Sequence, residues 1–182
     1  MPFTQTPIKD LIIFEPRIFQ DDRGHFFESF NKNLFKEVGI DTEFVQDNQS
    51  FSSFGTIRGL HFQKGEHAQA KLVRCTQGRI LDVTVDLRTN SKTFGKSFSI
   101  ELSAENQKQF FVPRGFAHGF SVLSETAVFQ YKVDNFYNRE SEDGIIFNDQ
   151  DLNIDWMIPS DSIGVSEKDT NLPTFRELKA RL

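Results

Sequence analysis

Cysteine is almost missing from this sequence. Cys75 stands alone among 182 residues, so no disulfide can form within the chain. A reducing compartment, the cytoplasm, is the expected setting. Long apolar runs are missing too: none approaches the length that crosses a bilayer, so no membrane partner is expected. The opening residues MPFTQTPIKD carry neither a basic start nor an apolar core, and no secretion signal is expected. Positive charge is in deficit, with 21 Lys and Arg against 26 Asp and Glu, a net charge of −5. That argues against nucleic acid as a bulk partner, because neutralising phosphates needs a basic surface. A small phosphorylated ligand needs only a few local Arg and Lys and stays open. No Gly-rich dinucleotide fingerprint is present either.

Phenylalanine is what the chain has in excess: 21, against two Tyr and one Trp. Many fall in period-two runs, which predicts a β-rich core, with some rings free to stack on a planar ligand. In 80–87, Leu81, Val83, Val85 and Leu87 share one face and Asp82, Thr84 and Asp86 the other. Phe98, Ile100 and Leu102 alternate with polar residues, as do Ala127, Phe129, Tyr131 and Val133. Further strands are predicted at 11–14, 26–30, 44–49, 57–63, 71–76, 109–112 and 119–123. Turn signals separate them, such as Asp22-Arg23-Gly24 and Pro113-Arg114-Gly115. Asn31 is placed to cap a helix over 33–38 with Gly39 past its end, and a second helix is predicted over 174–182. Short strands with regular turns and little helix predict an all-β fold, a cupin-like jelly-roll sandwich or barrel. Length predicts one domain spanning 1–182.

A jelly roll encloses a pocket, so polar residues on its inward faces need partners or a ligand. The candidates are His61, Lys71, His118 and Tyr131. A His holds and releases a proton near neutrality, a Tyr is normally protonated and can donate, and a Lys can stabilise a growing negative oxygen. Singly, each has a plainer reading: a hydrogen-bonded strand His, a core Tyr, a solvated Lys. A metal reading competes, since Pro113-x-Gly115-x-x-His118 matches the second motif of metal-binding cupins. The first motif needs two His one residue apart. Here Phe62 and Gln63 follow His61, so no ligand set forms and no metal is expected. Arg23 and Arg58 suit phosphate oxygens, although Arg on an acidic protein is more often an ion-pair member.

These residues occur in ordered blocks: Asp22-Arg23-Gly24-His25-Phe26-Phe27-Glu28-Ser29, then 44–50 (FVQDNQS), then Arg58-Gly59-Leu60-His61-Phe62-Gln63 leading to 67–74 (HAQAKLVR). Then come 112–120 (VPRGFAHGF), Tyr131-Lys132 with Glu142, and Ser166-Glu167-Lys168-Asp169. In this order they resemble the dTDP-4-dehydrorhamnose 3,5-epimerase family over about 11–169. The resemblance implies a homodimeric jelly-roll isomerase with no metal or organic cofactor. Its substrate would be dTDP-4-dehydro-6-deoxy-D-glucose, inverted at C3 and C5. It also implies His61 as proton acceptor, Asp169 as the carboxylate paired with it, Tyr131 as proton donor and Lys71 beside the C4 oxygen. His118 falls on a sugar-binding position. Arg23, Phe26, Glu28, Gln46, Asp47, Asn48, Arg58, Glu142 and Lys168 fall on nucleotide- or substrate-binding ones.

Three features depart from a simple fit. Strict alternation puts Arg58 and His61 on opposite faces, which a bulge at Gly59 would repair; otherwise Arg58 reaches a partner's site. Phe147 stands where the family usually has Trp, at a position read as structural, and Arg114 where an acidic or small residue is common. An epimerase acting at C3 or C5 alone on another nucleotide-linked 4-keto sugar, a metal-dependent cupin and a non-catalytic binding module are the competing readings.

Overall fold

The alternating runs pair into two six-stranded sheets. The computed structural model describes residues 2–182. One sheet has the order β1 (Phe3–Gln5), β2 (Ile12–Phe14), β10 (Gln109–Val112), β7 (Lys71–Gln77), β12 (Thr126–Val133), β5 (Gln46–Ser53). The other runs β13 (Glu142–Gly144), β6 (Thr56–Gln63), β11 (Phe116–Val122), β8 (Arg79–Asp86), β9 (Ser97–Ser103). Its sixth strand, β14 (Gly164–Val165), pairs with β6 in parallel. A separate hairpin joins β3 (Phe19–Asp21) and β4 (Gly24–Phe26). Between β5 and β13 most connections step from one sheet to the other, which is the jelly-roll winding that the alternation predicts.

Alternation also sorts the apolar residues into three layers. Val73, Cys75, Ile80, Phe110, Val112, Phe116, Phe120 and Phe129 fill the space between the sheets. Leu81, Val83, Val85 and Ala117 point the other way, under the C-terminal segment with Ile145, Trp156 and Leu178. Leu72 and Phe111 point out of the first sheet beneath Phe14, Phe35 and Ile40. Strands covered on both faces explain how one domain-sized chain accommodates so many Phe. They also mean that the polar face of β8 does not meet solvent: Asp82, Thr84 and Asp86 are each fully buried. Asp86 is satisfied by Arg88, Ser91 and Thr93.

The helices are shorter than the patterns predict. Helix α1 (Lys32–Lys36) starts where expected, with the Asn31 side chain accepting from Asn33 N and Leu34 N. Gly39 follows at φ +83°. Two more helices, α2 (Glu167–Thr170) and α3 (Phe175–Lys179), lie near the C-terminus, α3 closed by a Thr174–Glu177 capping box. The strand predicted over 26–30 is not formed. β4 ends at Phe26; Phe27 lies under the Arg74 guanidinium at 5.6 Å, and Phe30 packs on Phe35 and Phe44. Those rings cover a sheet instead of joining one. For the same reason β5 begins at Gln46, not Phe44.

Candidate active site

Between the sheets lies a cavity of about 580 Å³. The second sheet supplies Arg58, His61 and His118, the first supplies Lys71 and Tyr131, and the C-terminal segment supplies Lys168 and Asp169. Arg58 and His61 share this space because β6 carries an extra residue. His118 on β11 lies opposite His61, yet Phe120, two residues on, lies opposite Arg58, three residues back. That bulge shifts the parity of the strand. It needs Gly59, which sits at φ +129°; a Cβ there would lie 2.5 Å from Gly119 Cα. Strict alternation is thus overturned at this point. Arg58 also stays in its own cavity, its Nε donating to Ser52 Oγ at 3.1 Å.

Asp169 arrives from far along the chain. β14 pairs with the start of β6, and Ser166, next after it, caps α2 by accepting from Asp169 N. The carboxylate then sits 2.6 Å from His61 Nε2, while its other oxygen accepts from Gly59 N at 3.3 Å. Burial pushes the Asp169 carboxyl up, but the His61 hydrogen bond and charge and the Gly59 amide outweigh it and hold it below the usual carboxylate range. An ionised, fixed acceptor orients the imidazole and stabilises its protonated form.

Lys71 and Tyr131 face this couple from the opposite sheet, the Lys71 ammonium 5.9 Å from the Tyr131 ring centroid. Burial lowers Lys71 to about 8, against the pull of the Asp82 and Glu142 carboxylates. Burial raises Tyr131 above its ordinary value, opposed by Arg58 and by Asn48, its cross-strand partner. His118 is tied down: its Nε2 lies 2.9 Å from each oxygen of Asp82, and its ring stacks on Phe129.

Other predicted residues fall at the mouth or outside. Lys168 Nζ donates to Glu142 at 2.6 Å, and Tyr137 Oη donates to the same carboxylate at 2.7 Å. Gln46 Nε2 donates to Asn48 Oδ1 at 2.8 Å on the same side of β5 as the cavity. Asp47, one residue out of phase, turns to the other face and pairs with Lys132 at 2.9 Å. Arg23, Phe26 and Glu28 do not reach the cavity. Arg23 pairs with Asp21 at the hairpin tip, Phe26 is 67% exposed on β4, and Glu28 accepts from Asn31. Phe147 packs in the apolar layer around Trp156, whose Nε1 donates to its carbonyl. Arg114 braces the site: its Nε donates to Asp134, whose other oxygen accepts from Ala70 N, next to Lys71. Sequence reasoning missed Asp82 and Tyr137. The signal for Asp82 was an acid on a strand otherwise built for burial; Tyr137, in a loop, gave none. Among the described residues no cluster of His, Cys, Asp and Glu converges to hold a metal ion, and no helix is long and apolar enough to cross a membrane.

Residues 5–177 match the family model described as dTDP-4-dehydrorhamnose 3,5-epimerase. An Escherichia coli K12 protein of that name is 53% identical over 98% of this chain and 96% of its own length. The crystal structure of dTDP-4-dehydrorhamnose 3,5-epimerase from Elizabethkingia anophelis superposes with a TM-score of 0.93 at 61% identity, covering 96% of each chain. The Legionella pneumophila dTDP-6-deoxy-D-glucose-3,5-epimerase, solved with dTDP-4-keto-L-rhamnose, gives 0.93 at 43% identity over 98% of this chain and 95% of that one.

Proposed function

The chain belongs to the dTDP-4-dehydrorhamnose 3,5-epimerase family, and we propose from that premise that it inverts C3 and C5 of dTDP-4-dehydro-6-deoxy-D-glucose with His61 as the base. The observation that carries the residue roles is one cavity with the His61–Asp169 couple on one wall and Tyr131 on the other, Lys71 beside it. A proton next to a ketone can be removed if the resulting enolate is stabilised. His61 takes the C3 proton, and Asp169 steadies the imidazolium. Charge moves to the C4 oxygen, where the Lys71 ammonium meets it. Tyr131, kept protonated by burial, returns a proton from the opposite face, and the configuration inverts. Each cycle leaves His61 one proton richer and Tyr131 one poorer. Solvent restores both before the cycle repeats at C5. Carbon therefore acquires solvent hydrogen at each inversion.

The nucleotide falls to the mouth, where Arg58, Lys168 and Glu142 stand with Gln46 and Asn48 nearby. Arg23, Phe26 and Glu28 cannot serve their own cavity from the hairpin, so we assign them to the cavity of a second copy. The working unit is then a homodimer. The lone, buried Cys75 fits a cytoplasmic enzyme whose fold uses no disulfide.

The test is turnover of dTDP-4-dehydro-6-deoxy-D-glucose in D2O followed by NMR. Deuterium is expected at both C3 and C5. Label at one carbon alone would convert the reading to a single-site epimerase, and none would sink it for this substrate. His61→Ala is expected to abolish exchange. Tyr131→Phe is expected to keep exchange at C3 while net inversion fails.

A further inference from the structure

The catalytic wall holds a second histidine–carboxylate couple that the mechanism above leaves idle. His118 and His61 are cross-strand neighbours, so the two couples stand side by side at one cavity. Asp82 has no exposed surface, and His118 is only 5% exposed. Both Asp82 oxygens lie 2.9 Å from His118 Nε2. Among the described residues, nothing in the protein bonds His118 Nδ1, and yet no buried side-chain polar atom lacks a partner. Nδ1 therefore opens on the cavity that His118 lines.

We propose that Asp82 is a positioning residue for the epimerisation: by binding Nε2 it keeps the opposite nitrogen of His118, Nδ1, protonated and turned into the cavity as a second donor to the C4 oxygen. This rests on the epimerase reading. A fully buried pair is cheapest with no net charge. Two fillings meet that condition, an imidazolium with a carboxylate or an imidazole with a carboxylic acid. In both, one proton lies between Nε2 and Asp82 and the other sits on Nδ1, so the cavity meets an N–H either way. Burial lowers His118 and raises Asp82, and their mutual attraction opposes both shifts. The titratable groups facing the pair are Lys71 on β7 and His61 on β6. Lys71 does not bond Asp82, so the carboxyl is left to His118. A neutral donor beside a cationic one gains strength only as charge develops on the oxygen, which favours the transition state over the bound ketone.

The experiment compares wild type with Asp82→Asn and Asp82→Leu, all labelled with 15N-histidine, the His118 signals being assigned with His118→Gln. At neutral pH the wild-type Nδ1 is expected in the protonated range. In Asp82→Asn the amide N–H can donate to Nε2 as the carboxylic acid does, so Nδ1 is expected to keep its proton; in Asp82→Leu nothing holds Nε2 and the ring loses its fixed donor. Asp82→Leu is expected to lose about 10- to 100-fold in kcat, the scale of one weakened oxyanion donor, and Asp82→Asn to recover most of that loss. KM should change by less than about threefold, the mark of an interaction made in the transition state. C3 exchange should fall in step with kcat, and dTDP should bind as in wild type. A bare Nδ1 in wild type overturns the proposal, and that measurement stands even if a variant fails to fold. Wild-type kcat in Asp82→Leu overturns it too, as does a loss of kcat matched by an equal loss of dTDP binding. Failure of wild type to turn over the sugar nucleotide sinks the epimerase reading instead, while the spectrum still reports the couple.

Discussion

At Lys71 burial and charge pull in opposite directions. The cavity wall disfavours an ammonium, and Asp82 and Glu142 partly restore it, leaving the group near 8. A lysine so placed is charged at neutral pH and becomes neutral within the working range of an enzyme. Only the charged form stabilises an enolate oxygen electrostatically. On the alkaline side, activity is therefore expected to fall as pH rises through about 8. Tyr131, raised above its ordinary value, stays protonated across that limb and does not cause it. Lys71→Gln is expected to lower kcat by about 10²- to 10³-fold, as for the loss of one charge-stabilising donor. Its residual activity should lack the limb near 8. A wild-type profile of kcat that stays flat to pH 9.5 would remove Lys71 from the C4 oxygen.

Elements decide which of these side chains meet. Gly59 sets the bulge that turns Arg58 toward the face of His61, and no other residue fits there. Alanine would combine φ +129° with contacts of 2.5 Å to Gly119 Cα and 2.9 Å to the His118 carbonyl. Both neighbours are backbone and cannot swing aside. Gly59→Ala is expected to destabilise the fold by about 3 kcal/mol, which for a chain of this size lowers Tm by roughly 6–12 °C in calorimetry. Activity should fall further than stability explains, because β11 carries His118 across the same contact. An unchanged Tm would mean that the two strands can separate without cost. The bulge could be suspected in the sequence, where alternation separated two residues that the chemistry needs together. Long alternating elements such as β8 and β12 were legible for the same reason: their period is visible over eight residues. β13 and β14, at three and two residues, have no period to read. Yet β14 sets Asp169 beside His61, 108 positions apart. That pairing entered the sequence reading only through the family resemblance. Phe26 to Phe30 failed differently. The Phe spacing predicts a strand, but β4 stops at Phe26, and Phe27 and Phe30 cover a sheet instead of joining one.

At the scale of the whole molecule, covering both sheets still leaves large apolar side chains in solvent, three of them Phe rings on a hairpin and a sheet edge. Phe19 and Phe26 face each other across the β3–β4 hairpin at 6.5 Å, about half or more of each exposed. Exposed Phe51 lies on β5, which pairs only with β12 and is an edge strand. Exposed rings on a projecting hairpin and on an open edge are features a second copy would bury. Arg23 rides on the same hairpin, out of reach of its own cavity. If these residues serve the partner, two inactive variants must rescue one another. Arg23→Ala/Phe26→Ala lacks the arm but keeps His61; His61→Ala lacks the base but keeps the arm. In a mixed pair, the cavity with His61 receives the intact arm and the other cavity is doubly damaged. Random pairing of equal amounts makes half of all pairs mixed, each with one working cavity of two, so about a quarter of wild-type activity is expected from symmetric dimers. The measurement is turnover by the two variants co-expressed under different tags and captured through both. That captured fraction should reach about half of wild-type activity per pair, since one cavity in two is whole. Activity no higher than the sum of the separate variants would mean that the arm does not act on a second copy.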